Sequence, residues 1–389
     1  MSEPTIVITG GRVIDATGER AGDVVVGDDG TILDVGADID VAGTSATVLD
    51  AGGCVVSPGF VDIHSHLREP GQEEAETIET GARAGAVGGY TCLLAMPNTM
   101  PAIDSAAVVR HVLDIGRSAS CDIRTSGAIT VGRAGERLAP MAEMAALGVR
   151  LFTDDGSGVQ DNQLMRRAME YASGLGVTLA QHCEDDALCG GGHMHEGEWS
   201  SRLGIAGQPA EAEELMVMRD IALARLTGAR VHFQHMSTAA SMAMIAGAKA
   251  AGLPVTAEAT THHFTLDHSA CASYDAVFKV NPPLRTEADV AAVRAALGDG
   301  TVDCVATDHA PHTPERKDEP FDQAPPGMLG LETALALALT ELDLDIATVV
   351  GLLSWRPAAI IGADDRHGRP IAAGESANLA VFDPAEEWT

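Results

Sequence analysis

From Val55 onward, eight short apolar runs alternate with helix-like segments, and few architectures accommodate that rhythm. The expected strands are Phe60–His64, Tyr90–Met96, Asp122–Gly127, Val149–Thr153, Val177–His182, Val231–His235, Val255–Glu258 and Val302–Asp308. Helical stretches fall at Ser105–Ser118, Asn162–Leu175, Ala210–Leu226, Thr238–Ala251, Glu287–Leu297 and Leu331–Leu342, with Asp104, Asp161 and Ser237 where N-caps are expected. This order predicts an α/β chain built as a (β/α)8 TIM-like barrel. A doubly wound open sheet is the alternative. It usually carries a Gly-rich loop after an early strand, and no GxGxxG or GxxxxGK[ST] follows a strand here.

Residues 1–56 have a different texture. Thr5–Thr9, Val13–Asp15, Asp23–Val26, Ile32–Val35 and Thr47–Asp50 alternate with period two, and Gly10-Gly11 and Asp28–Gly30 read as turns. Ala377–Phe382 reads as one more strand returning to this region. The expectation is a small β-sandwich domain formed by the two chain ends, 1–56 and 362–389, around a barrel over 57–361. The last stretch is shorter than such a domain needs, so it reads as truncated. No internal repeat or low-complexity tract is present.

Charge narrows the function classes. Asp and Glu number 56 against 25 Lys and Arg, a formal net charge of −31, which repels nucleic acid. Only three of the 25 basic side chains are lysines (Lys249, Lys279 and Lys317); the other 22 are arginines. An acidic, Lys-poor, Ala- and Gly-rich chain suits a cytoplasm with molar salt, where a Debye length of about 3 Å screens self-repulsion. An acidic enzyme of ordinary salt is the alternative. No apolar run approaches the roughly 20 residues of a membrane span, and MSEPTIVITGG lacks the basic and apolar regions of a signal peptide. The seven cysteines are scattered without a CxxC pair, which fits a reducing cytoplasm better than a disulfide framework.

Metal-type residues collect where the expected strands end, the face on which barrel enzymes build their sites. The first strand ends Asp62-Ile63-His64-Ser65-His66; positions i and i+2 share a face, so His64 and His66 point together. By the same parity Asp155 joins Val149 and Leu151, while Asp154 faces away. His235 joins Val231 and Phe233, while His232 faces the helices as a satisfied core histidine. His182 ends the fifth strand and Asp308 the eighth. Four His and two Asp are too many for one tetrahedral site. They suit two divalent ions about 3.5–4 Å apart with a shared carboxylate, and a hydroxide held between them would be the nucleophile.

Several blocks then carry a resemblance. Phe60-Val61-Asp62-Ile63-His64-Ser65-His66-Leu67-Arg68-Glu69-Pro70-Gly71 resembles the signature of class I dihydroorotases of the amidohydrolase superfamily. The resemblance continues through Ala95–Thr99, Thr153–Gly156, His182–Asp185, His195–Glu198, Gln234–Thr238, Lys279–Arg285 and Ala306–His312, and so covers nearly the whole chain. It implies two Zn2+ per subunit, with His64, His66 and Asp308 on one ion, His182 and His235 on the other, and Asp155 bridging. It implies Asp308 as catalytic acid/base. Substrate contacts are implied for His66, Arg68, Asn98, Asn281, His312 and the backbone around Pro326 and Gly327. The implied reaction is the reversible cyclisation of N-carbamoyl-L-aspartate to (S)-dihydroorotate in pyrimidine biosynthesis. It also implies a cytoplasmic homo-oligomer, a dimer, and association with an aspartate transcarbamoylase.

The chemistry fits those residue types. Opening a ring amide needs a polarised carbonyl, a positioned nucleophile and a proton for the leaving nitrogen, and a carboxylate such as Asp308 can carry that proton. A substrate carboxylate wants the bidentate fork of an arginine, which Arg68 offers; its alternative is a surface pair with Glu69. Hydantoinases and allantoinases resemble this layout but bridge their metals with a carboxylated lysine after the fourth strand. No lysine precedes Lys249, so a carboxylate must replace it. A non-catalytic scaffold homologue is the remaining rival; such homologues usually lose metal ligands, and all six are present. Other groups read more plainly: His262-His263 as a polar loop, His193 and His195 in a Gly-rich loop or lid, Cys183 as a non-nucleophile, and Glu73–Glu76 as a solvated helix start.

Overall fold

The computed structural model describes residues 3–37, 39–40 and 45–387; the parts of the expected end domain at 1–2, 38, 41–44 and 388–389 lie outside them. In it, the first two strands, β1 (Pro4–Asp15) and β2 (Gly18–Gly27), form an antiparallel pair extended by β3 (Ile32–Gly36). Gly10-Gly11 is not a turn. β1 runs through it with a register slip, Gly10 at φ +71, and a side chain on Gly11 would meet Val56 at 2.5 Å. That bulge forks the sheet: β4 (Thr47–Asp50) pairs with β1 before it and β5 (Val55–Pro58) after it, both parallel. Among the described residues, these strands and the late strand at the chain end form one forked sheet, not the two facing sheets of a sandwich. Ile8, Val13, Val24, Val26, Ile32, Val56 and Ile371 make its small core.

The alternating region supplies eight parallel strands in sequence order. β6 (Phe60–Ser65), β7 (Tyr90–Ala95) and β8 (Asp122–Thr125) form one ladder. β9 (Leu151–Phe152) and β10 (Thr178–Gln181) begin the second. A two-residue pair, β11 (Met194–His195) with β12 (Gly207–Gln208), sits outside it. β13 (Arg230–Phe233), β14 (Val255–Thr260) and β15 (Cys304–Ala306) complete it. Isolated parallel bridges Gly127↔Phe152 and Ser65↔His309 join the two ladders at both ends, so the ring returns on itself. An open sheet would leave two edges unpaired. β16 (Leu379–Phe382) pairs antiparallel with β5, tying the end of the chain to the strand just before β6.

All six expected helices form. Asn162–Leu175 matches at both ends: Asp161 accepts from the Leu164 N–H at 2.6 Å, and Gly176 at φ +69 ends it. Two caps sit one residue later than expected, at Ser105 and Thr238. Asp104 instead accepts from the Gly132 N–H at 2.8 Å, and the Ser237 hydroxyl donates to buried Glu213. Helices Ile346–Leu353 and Trp355–Ile360 lie outside the expected set. No helix among the described residues is long and apolar enough to cross a membrane.

Candidate active site

Six side chains meet where β6, β9, β10, β13 and β15 end. Asp155 lies at the centre. Its Oδ1 stands 3.3 Å from His64 Nε2, 3.4 Å from His182 Nδ1 and 3.6 Å from His235 Nε2, and its Oδ2 stands 3.5 Å from His66 Nε2. Asp308 Oδ1 completes the group, 2.9 Å from His66 Nε2 and 3.4 Å from His64 Nε2. All six residues are buried. Two sets of three ligand atoms lie within 4.8 Å of one another: His64, His66 and Asp308, and His64, Asp155 and His235. The first matches the expected trio; His64 belongs to both, while His182 Nδ1 lies 2.7 Å from His235 Nε2.

The donor set fits divalent ions. His64 Nε2, Asp155 Oδ1 and His235 Nδ1 are buried without a hydrogen-bond partner, a costly state that a cation among them would relieve. Imidazole nitrogen with carboxylate oxygen suits Zn2+ and its neighbours Mn, Fe and Co. Burial alone would push the Asp155 carboxyl up; the surrounding imidazoles outweigh it and hold it well below the usual range.

An outer layer aims the imidazoles. Glu258, in β14, places Oε1 2.5 Å from His64 Nδ1 and Oε2 3.0 Å from His232 Nε2, and it accepts from the His235 backbone N–H at 3.2 Å. Glu184 Oε2 lies 2.8 Å from His182 Nε2, and Asn98 Oδ1 lies 2.9 Å from His66 Nδ1. The His64, His66 and His182 rings therefore each have the far nitrogen held, which fixes tautomer and direction, whereas His235 is held through its backbone N–H. Neither glutamate was singled out from sequence. For Glu258 the available signal was a carboxylate within a buried strand, which must find a partner. His232 is the satisfied core histidine expected, bonded also to Thr256 Oγ1 at 2.8 Å. Asp154 faces away as expected and accepts from the Ile129 and Thr130 N–H groups at 2.9 and 3.0 Å.

A cavity of about 190 Å³ opens over this centre. His66, Arg68, Asn98, Asn281, His312, Pro326 and Gly327 all line it, together with Asp155, His182, His235 and Asp308. A larger cavity of about 520 Å³ lies at the opposite end of the strands, around Thr178, Arg230 and Val255, away from these groups. Arg68 is 7% exposed, donates from Nε to the Pro311 carbonyl at 3.0 Å, and forms no carboxylate pair among the described residues. Glu69 is not its partner; it accepts from the Ile78 N–H at 2.9 Å. Asn281 Oδ1 is buried and unpartnered. Burial and the Arg68 charge push His312 down to about 4, so its ring is neutral at pH 7. Gly327 sits at φ +149, and a side chain there would meet the Ala310 carbonyl at 2.4 Å.

Three site residues hold left-handed backbone: Arg68 at φ 61, His235 at φ 36 and Asp308 at φ 46. Such conformations cost about 1–3 kcal/mol each and persist only where surrounding contacts enforce them. Here His66 N–H donates to the His309 carbonyl at 2.8 Å, and buried Asp62 accepts from Thr307 N–H at 3.0 Å and Thr307 Oγ1 at 2.5 Å.

Three minor readings change. His262 and His263 are not in a polar loop; they lie buried on the short helix Thr261–Thr265, with His263 Nε2 2.9 Å from the Pro282 carbonyl. His195 lies in β11, buried, its Nδ1 3.3 Å from Arg285 Nη1. Glu76 is not solvated: its carboxylate lies 3.1 Å from His309 Nε2, and the helix begins after it, at Ile78. None of the three lysines pairs with the six central residues. Cys183 is buried and its thiol is pushed well up by burial, unlike a nucleophile.

Known proteins resemble this chain. The Dihydro-orotase-like family matches residues 53–241. A dihydroorotase from Mycobacterium leprae (strain TN) is 50% identical over 384 residues, 96% of this chain and 87% of that protein. One from Pelotomaculum thermopropionicum is 48% identical over 387 residues, 97% of this chain and 89% of that protein. Among solved structures, the L-hydantoinase (dihydropyrimidinase) from Arthrobacter aurescens superposes with a TM-score of 0.84 at 22% identity, covering 97% of this chain and 86% of that one. The D-hydantoinase (dihydropyrimidinase) from Thermus sp. gives 0.82 at 26% identity, with 98% and 87% covered. The hydantoinases share the fold, whereas the dihydroorotases share the fold and about half the residues. With that identity over nearly its whole length, the chain belongs to the dihydroorotase family and is a cyclic amidohydrolase.

Proposed function

We propose that the cavity interconverts N-carbamoyl-L-aspartate and (S)-dihydroorotate as a step of pyrimidine biosynthesis, with the assignments that follow. The ring of eight parallel strands supports reading residues 57–361 as a (β/α)8 barrel, with 1–56 and 362–389 as a small β-domain. Two divalent ions, zinc in the first instance, are assigned to the centre: His64, His66 and Asp308 on one, His182 and His235 on the other, and Asp155 between them. The observation that carries this is the Asp155 carboxylate, whose Oδ1 faces three imidazoles while its Oδ2 faces the fourth.

When bound, such ions polarise a carbonyl and acidify water. The chain's own groups do the rest. Arg68 has no carboxylate partner among the described residues and meets the substrate carboxylate with a directed fork. Asn98 and Asn281 border the same space, and neutral His312 can donate or accept there without repelling the substrate. Asp308, beside His64 and His66, takes a proton from the attacking water and returns it to the ring nitrogen as the amide opens; in cyclisation the order reverses. The left-handed backbone at Asp308 aims its carboxylate inward.

Turnover of dihydroorotate, hydantoin and allantoin by purified protein, with bound metal quantified and assays run in low and in molar KCl, tests the reading. Preference for dihydroorotate with about two zinc ions per chain is expected. Preference for hydantoin, or well-folded protein without bound metal, would overturn it. The KCl series tests the salt-adapted cytoplasm that the −31 charge suggests.

A further inference from the structure

In a chain that uses arginine for 22 of its 25 cations, the three lysines stand out. Lys249 Nζ pairs with Asp303 at 2.6 Å. Lys279 Nζ lies 3.2 Å from His193 Nδ1 and stands over the Phe321 ring. Lys317 differs from both. It is half-buried, has no carboxylate within 4.0 Å among the described residues, and donates to two backbone carbonyls, Pro325 O at 3.1 Å and Gly327 O at 2.9 Å.

Those carbonyls flank the cavity wall formed by Pro326 and Gly327. That wall is hard to hold. Pro325 and Pro326 have no N–H, so only their carbonyls can fix them. Lys317 takes two of the three successive carbonyls, and His312 Nε2 lies 2.8 Å from the third, Pro326 O. The one N–H available, on Gly327, donates at 2.8 Å to the carbonyl of Lys279, two residues before Asn281. The wall is thereby stitched to the segment that carries Asn281, which also lines the cavity. A compact ammonium with three rotatable donors suits two carbonyls two residues apart.

We propose that Lys317 is a positioning residue that fixes the Pro325–Gly327 wall and so sets the affinity of the cavity for its substrate, not the chemical step. The proposal rests on the reading of Pro326 and Gly327 as substrate contacts. Burial, with Lys279 nearby, pushes the Lys317 ammonium down to about 8, as expected for a charge withdrawn from water.

The test is steady-state kinetics of the full-length, metal-loaded protein on dihydroorotate, with melting temperature and metal content recorded for each variant. Lys317→Met should raise KM about tenfold while kcat stays within about twofold and bound metal is unchanged. Lys317→Arg keeps a cation beside the carbonyls and should bring KM back to within about threefold of the parent. An unchanged KM in Lys317→Met, or a fall in kcat accompanied by metal loss, would overturn the proposal. If Lys317→Met does not fold, Lys317→Gln serves in its place, and parental KM in that folded variant overturns it equally. A parent protein inactive on dihydroorotate overturns the functional reading itself, and this proposal with it; an active parent with an insensitive Lys317→Met overturns this proposal alone.

Discussion

Glu258 Oε1 lies 2.5 Å from Nδ1 of His64, and the far nitrogen of the same ring faces Asp155 Oδ1 at 3.3 Å. Burial would raise the Glu258 pKa, but His64 and His232 outweigh it and hold it at about 2, so the group is ionised at neutral pH. Glu258→Gln removes that charge while keeping the volume. Outer partners of this kind typically contribute 10–100-fold in metal affinity, so metal titration of apoprotein should show a loss of about that size. Parental affinity would mean that His64 needs no such support.

Asp308→Ala should leave the fold intact, because the backbone bonds of His66 N–H to the His309 carbonyl and of Thr307 N–H to Asp62 do not use its side chain. Turnover should fall by at least about 10²–10⁴-fold, the usual worth of a positioned acid/base, while at least one metal remains bound. Retained turnover would remove Asp308 from the proton-transfer role.

Arg68→Met probes the substrate carboxylate. Losing one charge-assisted contact in a buried site costs about 1.5–3 kcal/mol, which should raise KM for carbamoyl-aspartate about 10–100-fold. Arg68 holds the Pro311 carbonyl through Nε, so Arg68→Lys should not restore the parental KM. Parental KM in either variant would place the carboxylate elsewhere.

The end segment is pinned to the strand ring by His367, whose Nε2 lies 3.0 Å from Asp122 Oδ2. That hydrogen bond holds the Asp122 carboxyl below its ordinary value. Because the folded pKa is the lower one, the pair's stabilisation is present above about pH 3.9 and is lost as pH falls through the folded value. Asp122→Asn should therefore lower the melting temperature at pH 7, and the gap from the parent should narrow at acid pH, below about 3.9. An equal gap at both pH values would show that charge plays no part.

Periodicity exposed the eight strands because their apolar runs are buried and short. It misjudged their ends. β10 stops at Gln181, β13 at Phe233 and β15 at Ala306, so His182, His235 and Asp308 lie past the last regular residue. Their place at strand ends, with two-residue parity for His235, put them on one rim, but left-handed turns deliver His235 and Asp308 inward, and a period cannot report those. Helix caps failed where two polar residues adjoin, as in Asp104-Ser105 and Ser237-Thr238, because a distant partner claimed one of each pair. His262 and His263 looked hydrophilic; the Pro282 carbonyl, 19 residues away, satisfies one of them inside the protein. Glu258 has no local signal because its partners, His64 and His232, come from other strands; Glu184 lies only two residues from its partner His182, past the end of β10, where no strand period applies.

The positive-φ residues around the cavity have an evolutionary corollary. Glycine would relax each of those positions, so a selection for heat resistance alone should find easy gains there. Such a lineage would keep its shape and forfeit its chemistry, and only screening for product formation would hold Arg68, His235 and Asp308 in place.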